Sequence, residues 1–162
     1  MLGIGRHTDY AARLLLHLAC LEPGARVTIA EVAAQRLLPT AFVRRLVGKL
    51  TRVGILATVR GLGGGIRLAK PAEQITLLDL VIAMEGGVAL NHCVNNLHTC
   101  PLASGCPVQA AWSTVTNTLE ESLASVTFAS LALSPPHHAD AHRIRAAQET
   151  RSPRRRRASG DR

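Results

Sequence analysis

Residues 28–69 permit two short helices followed by a glycine-tipped hairpin, and few other arrangements. Thr28-Ile29-Ala30-Glu31 has the form of a capping box, in which the threonine hydroxyl serves the first turn and the glutamate reaches back to the cap amide. It predicts a short helix over about 28–36, with Ile29, Val32 and Ala33 turned inward. Pro39 drives Leu38 out of helical geometry, Thr40 is placed to cap a second helix running to about residue 53, and Gly54 stops it. Two short helices with a tight link make a helix-turn-helix, here over about 28–53. In 55–69, β-branched and apolar residues flank Gly61-Leu62-Gly63-Gly64-Gly65, the pattern of a hairpin with a flexible tip. A hairpin directly behind a helix-turn-helix is a wing. The glycines do not form a phosphate loop: Gly-Lys-Ser/Thr is missing, and Ile66 stands where G-x-G-x-x-G requires its third glycine.

Charge gives this unit a direction. At about 100° per residue, Val43, Leu46, Val47 and Leu50 share one arc of the second helix, and Arg44, Arg45, Lys49 and Arg52 share the opposite one. Residues 36–70 carry eight basic residues and no acidic one. A merely solvated face usually mixes signs to form i,i+4 pairs, whereas a face of one sign suits a polyanion. The expected DNA contacts are Thr40, Arg44, Arg45 and Lys49 on the second helix and Arg60 and Arg67 on the wing. The net charge of +8 is weaker support, because residues 143–162 hold eight arginines against two acids.

The remaining segments point to a mainly α fold with a small β-wing. Aromatics are 2% of the chain, so the core must come from Leu, Val, Ile and Ala. A first helix over 8–20, capped by Thr8, presents Tyr10, Leu14, Leu15 and Leu18, with Cys20 expected as a buried core thiol. A further helix spans 76–85, begun by Thr76 and ended by Gly86-Gly87. A long helix begins near Pro107, where Val108, Trp112, Val115, Leu119, Leu123 and Val126 form a seam at coiled-coil spacing. That seam is expected to pair two copies, with packing inside one subunit as the alternative. The expected organisation is therefore a winged helix-turn-helix domain at 1–90, a loop at 91–107, a dimerisation helix and its end at 108–133, and a disordered basic tail at 134–162. The apolar stretch 11–21 is broken by Arg13 and His17 and is too short to span a bilayer, so a cytoplasmic protein is expected.

Cys93, Cys100 and Cys106 fall within fourteen residues. In a reducing compartment clustered thiols suggest metal or redox chemistry rather than disulfides. Thiolates suit iron–sulfur clusters, zinc and copper(I), but zinc loops favour cysteine pairs two to four residues apart, which are missing here. Three cysteines leave a fourth position open, for which His92, His98 and Asp9 are candidates. Nothing resembles a nucleophile–base pair or a pair of catalytic carboxylates, so the expectation is a binding protein and not an enzyme.

The opening HTDYAARLLLHLA, the wing VRGLGGGIRLAKP followed by AEQITLLDLV, and the loop CVNNLHTCPLASGC together resemble the winged-helix iron–sulfur transcription regulators that include IscR, NsrR and RirA. The resemblance covers roughly 1–130. It implies a homodimeric repressor on a near-palindromic double-stranded operator, with a 4Fe-4S or 2Fe-2S cluster on Cys93, Cys100 and Cys106. IscR-like members place a histidine three residues after the last cysteine, where this chain has Gln109. Some NsrR-like members use an aspartate of the opposite subunit's first helix, and Asp9 matches that position. The expectation therefore leans to nitric-oxide sensing. Iron or redox sensing within the family, a metal-free thiol switch, and a zinc-stabilised module without sensing are the alternatives.

Overall fold

The computed structural model describes residues 4–96, 100–102 and 105–134. The first helix, α1 (Arg6–Ala19), is followed by α2 (Ile29–Gln35) and α3 (Thr40–Arg52), then by strands β1 (Leu56–Val59) and β2 (Gly65–Leu68). A single 3-10 turn at Ala72–Gln74 leads into α4 (Leu77–Glu85), and α5 (His92–Asn95), α6 (Pro107–Ser125) and α7 (Phe128–Leu133) complete the chain. The expected tail lies outside the described residues apart from Ser134. Among the described residues, none forms a helix long and apolar enough to cross a membrane.

Local chemistry sets most boundaries. Both bonds of the Thr28–Glu31 capping box form at α2, and the Thr28 amide and hydroxyl, both donating to Glu31 Oε2, hold that carboxyl below its usual range. The same device recurs at α4, where Thr76 and Asp79 exchange bonds and Gly86 closes the helix at φ +90°. The turn between α2 and α3 is tighter than Pro39 alone implies. Leu37 takes φ +52°, a region that costs a side chain about 1–2 kcal/mol. The Leu38 amide then donates to the Ala33 carbonyl at 2.9 Å, and Leu38 drops into the core at 5% exposure.

Two expected caps are corrected. Gly5, not Thr8, occupies the N-cap of α1, which starts two residues earlier than predicted. Thr8 is instead buried, and its hydroxyl donates to Glu85 Oε1, the carboxylate that also accepts from the Gly5 amide at 3.3 Å. Glu85, at the end of α4, thereby satisfies the start of α1. At α3 the N-cap is Pro39, and Thr40 is the first helical residue with no capping bond from its side chain.

The two strands pair antiparallel, with Leu56 opposite Leu68 and Val59 opposite Gly65. Val27, just ahead of the α2 cap, adds a bridge to Ile66 with bonds of 3.2 and 2.9 Å, which fastens the wing to the entry of the helix-turn-helix. The core is built from Leu14, Leu15, Val32, Val43, Leu46, Leu50, Leu56, Ile66, Ile75 and Leu80, with Phe128 fully buried among them. The Phe128 amide donates to Ile75 at 2.8 Å, so α7 returns across the expected boundary at residue 90 and closes the core of the N-terminal unit.

Candidate nucleic-acid interface and thiol loop

The apolar arc of α3 is buried as its periodicity requires: Val43, Leu46, Val47 and Leu50 are each 5% exposed or less. The basic residues divide. Arg44 and Arg45 on α3 and Arg60 at the start of the wing tip are exposed and make no hydrogen bond or ion pair among the described residues. Thr40 is exposed at the start of the same helix. Arg45 lies with its guanidinium carbon 5.7 Å from the centre of the Phe42 ring. The wing tip runs through Gly61 and Gly63, both at positive φ, and holds Leu62 fully exposed between them.

The other basic side chains serve the fold. Lys49, expected on the open arc, is half-buried, and its Nζ donates to the Met84 carbonyl at 2.7 Å, tying α3 to α4. Arg67 is half-buried and donates to the Leu68 carbonyl at 3.1 Å. Arg52 donates to Gly48 at 3.2 Å, and Lys70 pairs with Asp79 at 3.6 Å. Arg36 donates to His17 Nδ1 at 3.3 Å, joining α2 to α1. Burial first, and the Arg36 charge second, hold the His17 imidazole below its ordinary pKa.

The thiol loop is bracketed by α4 and α6. Cys93 sits in α5, an element the sequence did not suggest, and Cys106 forms the N-cap of α6 ahead of Pro107. Cys93, Cys100 and Cys106 are each half-buried, and none of the four cysteines is in a disulfide. Cys20 is exposed at the C-cap of α1, which corrects the expectation of a core thiol. The three loop thiols are soft donors, but the single chain does not gather them. Among the described residues, no three His, Cys, Asp or Glu side chains lie close enough together to hold a metal ion. His98 falls outside the described residues, and His92 lines a polar cleft with Glu85 and Asn91. Asp9, in the first turn of α1, pairs with Arg13 at 3.0 Å, and both side chains are about half exposed (48% and 55%).

Along α6 the expected seam divides as well. Val108, Trp112, Val115 and Leu119 are exposed, and the first three line an apolar groove with Pro107 and Ala111. Leu123 and Val126, nearer the C-terminal end, are half-buried. Sequence reasoning passed over Phe42, whose signal is an aromatic ring placed off the buried arc of α3.

Comparison with known proteins agrees with this architecture. The profile of the Rrf2 family, described as iron-dependent transcriptional regulators, matches residues 4–133. The chain is 34% identical over 133 residues to "Protein aau3" of Rhizobium meliloti, covering 81% of this chain and 85% of that one. It is 29% identical over 109 residues to the HTH-type transcriptional regulator NsrR of Oceanobacillus iheyensis, covering 67% and 74%. Among solved structures, CymR of B. subtilis, titled the global cysteine regulator, superposes with a TM-score of 0.68 at 22% identity, covering 82% of this chain and 97% of that one. IscR of T. potens superposes at 0.63 with 20% identity, covering 94% and 93%. Both structural likenesses speak to the winged-helix fold.

Proposed function

Because the chain belongs to the Rrf2 family of transcriptional regulators, we propose that it is a homodimeric repressor whose hold on its operator is set by an iron–sulfur cluster on Cys93, Cys100 and Cys106, and that it responds to nitric oxide. The observation that carries this reading is the position of the three half-buried thiols, between a winged helix with exposed arginines and a helix whose apolar face is left in water. Two copies paired along α6 cover that face and set the two recognition helices a fixed distance apart. Successive major grooves on one side of a duplex require a separation of about 34 Å or a multiple of it. Thr40, Arg44 and Arg45 are the contacts expected in the major groove and on its phosphates, and Arg60 is the contact at the wing. Lys49 and Arg67 act through the fold, by fixing α3 and β2.

Three soft sulfur donors on one loop fit such a cluster, with the Asp9 carboxylate of the second copy as the fourth ligand. A cluster held there would supply iron as the site open to nitric oxide. Ligation by Cys93, Cys100 and Cys106 would tie α5 and the start of α6 to the first turn of the other copy's α1. Loss of those three bonds would shift the spacing of the recognition helices.

Anaerobic purification with iron and sulfide counts, an absorption spectrum, and DNA binding before and after nitric oxide tests the reading. Cys100→Ala is expected to lose the chromophore and the regulated DNA binding together; retention of both removes this cysteine from the site. A second reading, a metal-free thiol switch, uses the same three half-buried free thiols. Material lacking iron and sulfide, with an oxidant-induced disulfide seen by mass spectrometry and linked to DNA release, selects it.

A further inference from the structure

We propose that Phe42 is a positioning residue for DNA recognition: its ring, itself held by the first turns of α1, holds the Arg45 guanidinium on the exposed face of α3. The inference rests on the DNA-binding reading above and deepens it. Phe42 and Arg45 are three residues apart on one helix, hence side by side on its surface. The guanidinium carbon is 5.7 Å from the ring centre, within the roughly 6 Å reach of a cation–π contact. From the other side the ring is gripped by α1. His7 lies 5.3 Å away, and Tyr10 meets the ring edge-on at 5.9 Å and 87°. His7 and Tyr10 are themselves three residues apart, so one face of α1 supplies both.

An unrestrained arginine loses its rotamer freedom when it docks on a phosphate or base edge, and ordering it beforehand removes part of that loss. Arg44 is the internal control. It is exposed on the same helix, and among the described residues no aromatic ring lies beneath its guanidinium. Phe42 therefore acts on the contribution of Arg45 and leaves that of Arg44 alone.

The probe is a duplex selected by the wild-type protein from a random-sequence library, with affinity read by fluorescence anisotropy at fixed salt. Phe42→Leu is expected to weaken binding about two- to fivefold, the scale of an exposed cation–π contact, and Phe42→Tyr to restore it. In an Arg45→Ala background Phe42→Leu should have no further effect, whereas in an Arg44→Ala background the two losses should multiply. Equal losses in both backgrounds indicate a general packing role and overturn the proposal. So does wild-type affinity in Arg45→Ala, or failure of Phe42→Tyr to rescue. If the wild-type protein selects no duplex at all, the DNA-binding reading itself fails and this inference falls with it.

Discussion

His17 illustrates how one side chain ties the stability of this fold to pH. It is 7% exposed, and its Nδ1 accepts a hydrogen bond from Arg36, which requires the neutral imidazole. Burial and the neighbouring guanidinium depress its pKa in the folded state below the ordinary 6.5. Above that value both folded and unfolded chains hold the neutral ring, and it contributes no pH dependence. Below it the unfolded chain takes up the proton first, so stability falls with pH until the lower folded pKa is reached. Thermal unfolding followed from about pH 7 to about pH 5.5, above the carboxylate range, should show a decline in the wild type that is reduced in His17→Gln. Parallel curves for the two proteins would assign the acid sensitivity elsewhere.

At the scale of elements, glycine separates positions that need a bare backbone from positions that merely have one. A Cβ on Gly65 would lie 2.7 Å from the Val27 carbonyl oxygen, which accepts the bond from Ile66 that fastens the wing. Gly65→Ala is therefore expected to cost about 1–3 kcal/mol. Gly48, within α3, has nothing within 4 Å of the same atom. Gly48→Ala is expected to stabilise by about 0.5–1 kcal/mol, because alanine gives up less backbone freedom in a helix. Thermal melts of the two variants should move in opposite directions, and a shared direction would contradict the tie between wing and helix-turn-helix. The same contrast explains what the sequence made legible. The Thr28–Glu31 box, the Thr76 and Gly86 boundaries and the glycine-tipped hairpin rest on residues a few positions apart, so their patterns announce them. The Thr8 cap was misassigned and the Lys49 tie to α4 was missed because their partners, Glu85 and Met84, lie 77 and 35 residues away. Cys20 falls on the apolar run of α1 in sequence but on the turn that leaves the helix in space. For the thiols, spacing marked the candidate ligands, but it carries no information on whether one chain can draw them together.

For the whole molecule, α6 is the element that a single chain explains least. Its composition is a poor helix former, with Thr114, Thr118 and Ser122 hydroxyls bonding back to carbonyls four residues earlier, a competition that weakens a helix on its own. It nevertheless runs for 19 residues, about 28 Å at 1.5 Å per residue, with Val108, Trp112, Val115 and Leu119 facing water. Full burial of such a side chain yields about 1.5–3 kcal/mol; these four are 38–61% exposed, so in the proposed dimer a matching stripe would return part of that at each position. The core of the winged helix does not depend on this stripe, since α7 closes it through Phe128 and Ile75. Charge placed on the stripe should therefore separate the copies without unfolding the chain. Trp112→Glu is expected to sediment with the mass of one chain in place of two, to keep its helical circular dichroism, and to bind a half-site with the affinity of a lone winged helix. It should also lose the tighter binding that a dimer gains from two half-sites on one duplex. A variant that remains dimeric would place the interface elsewhere, and one that unfolds would show that the stripe packs within its own subunit.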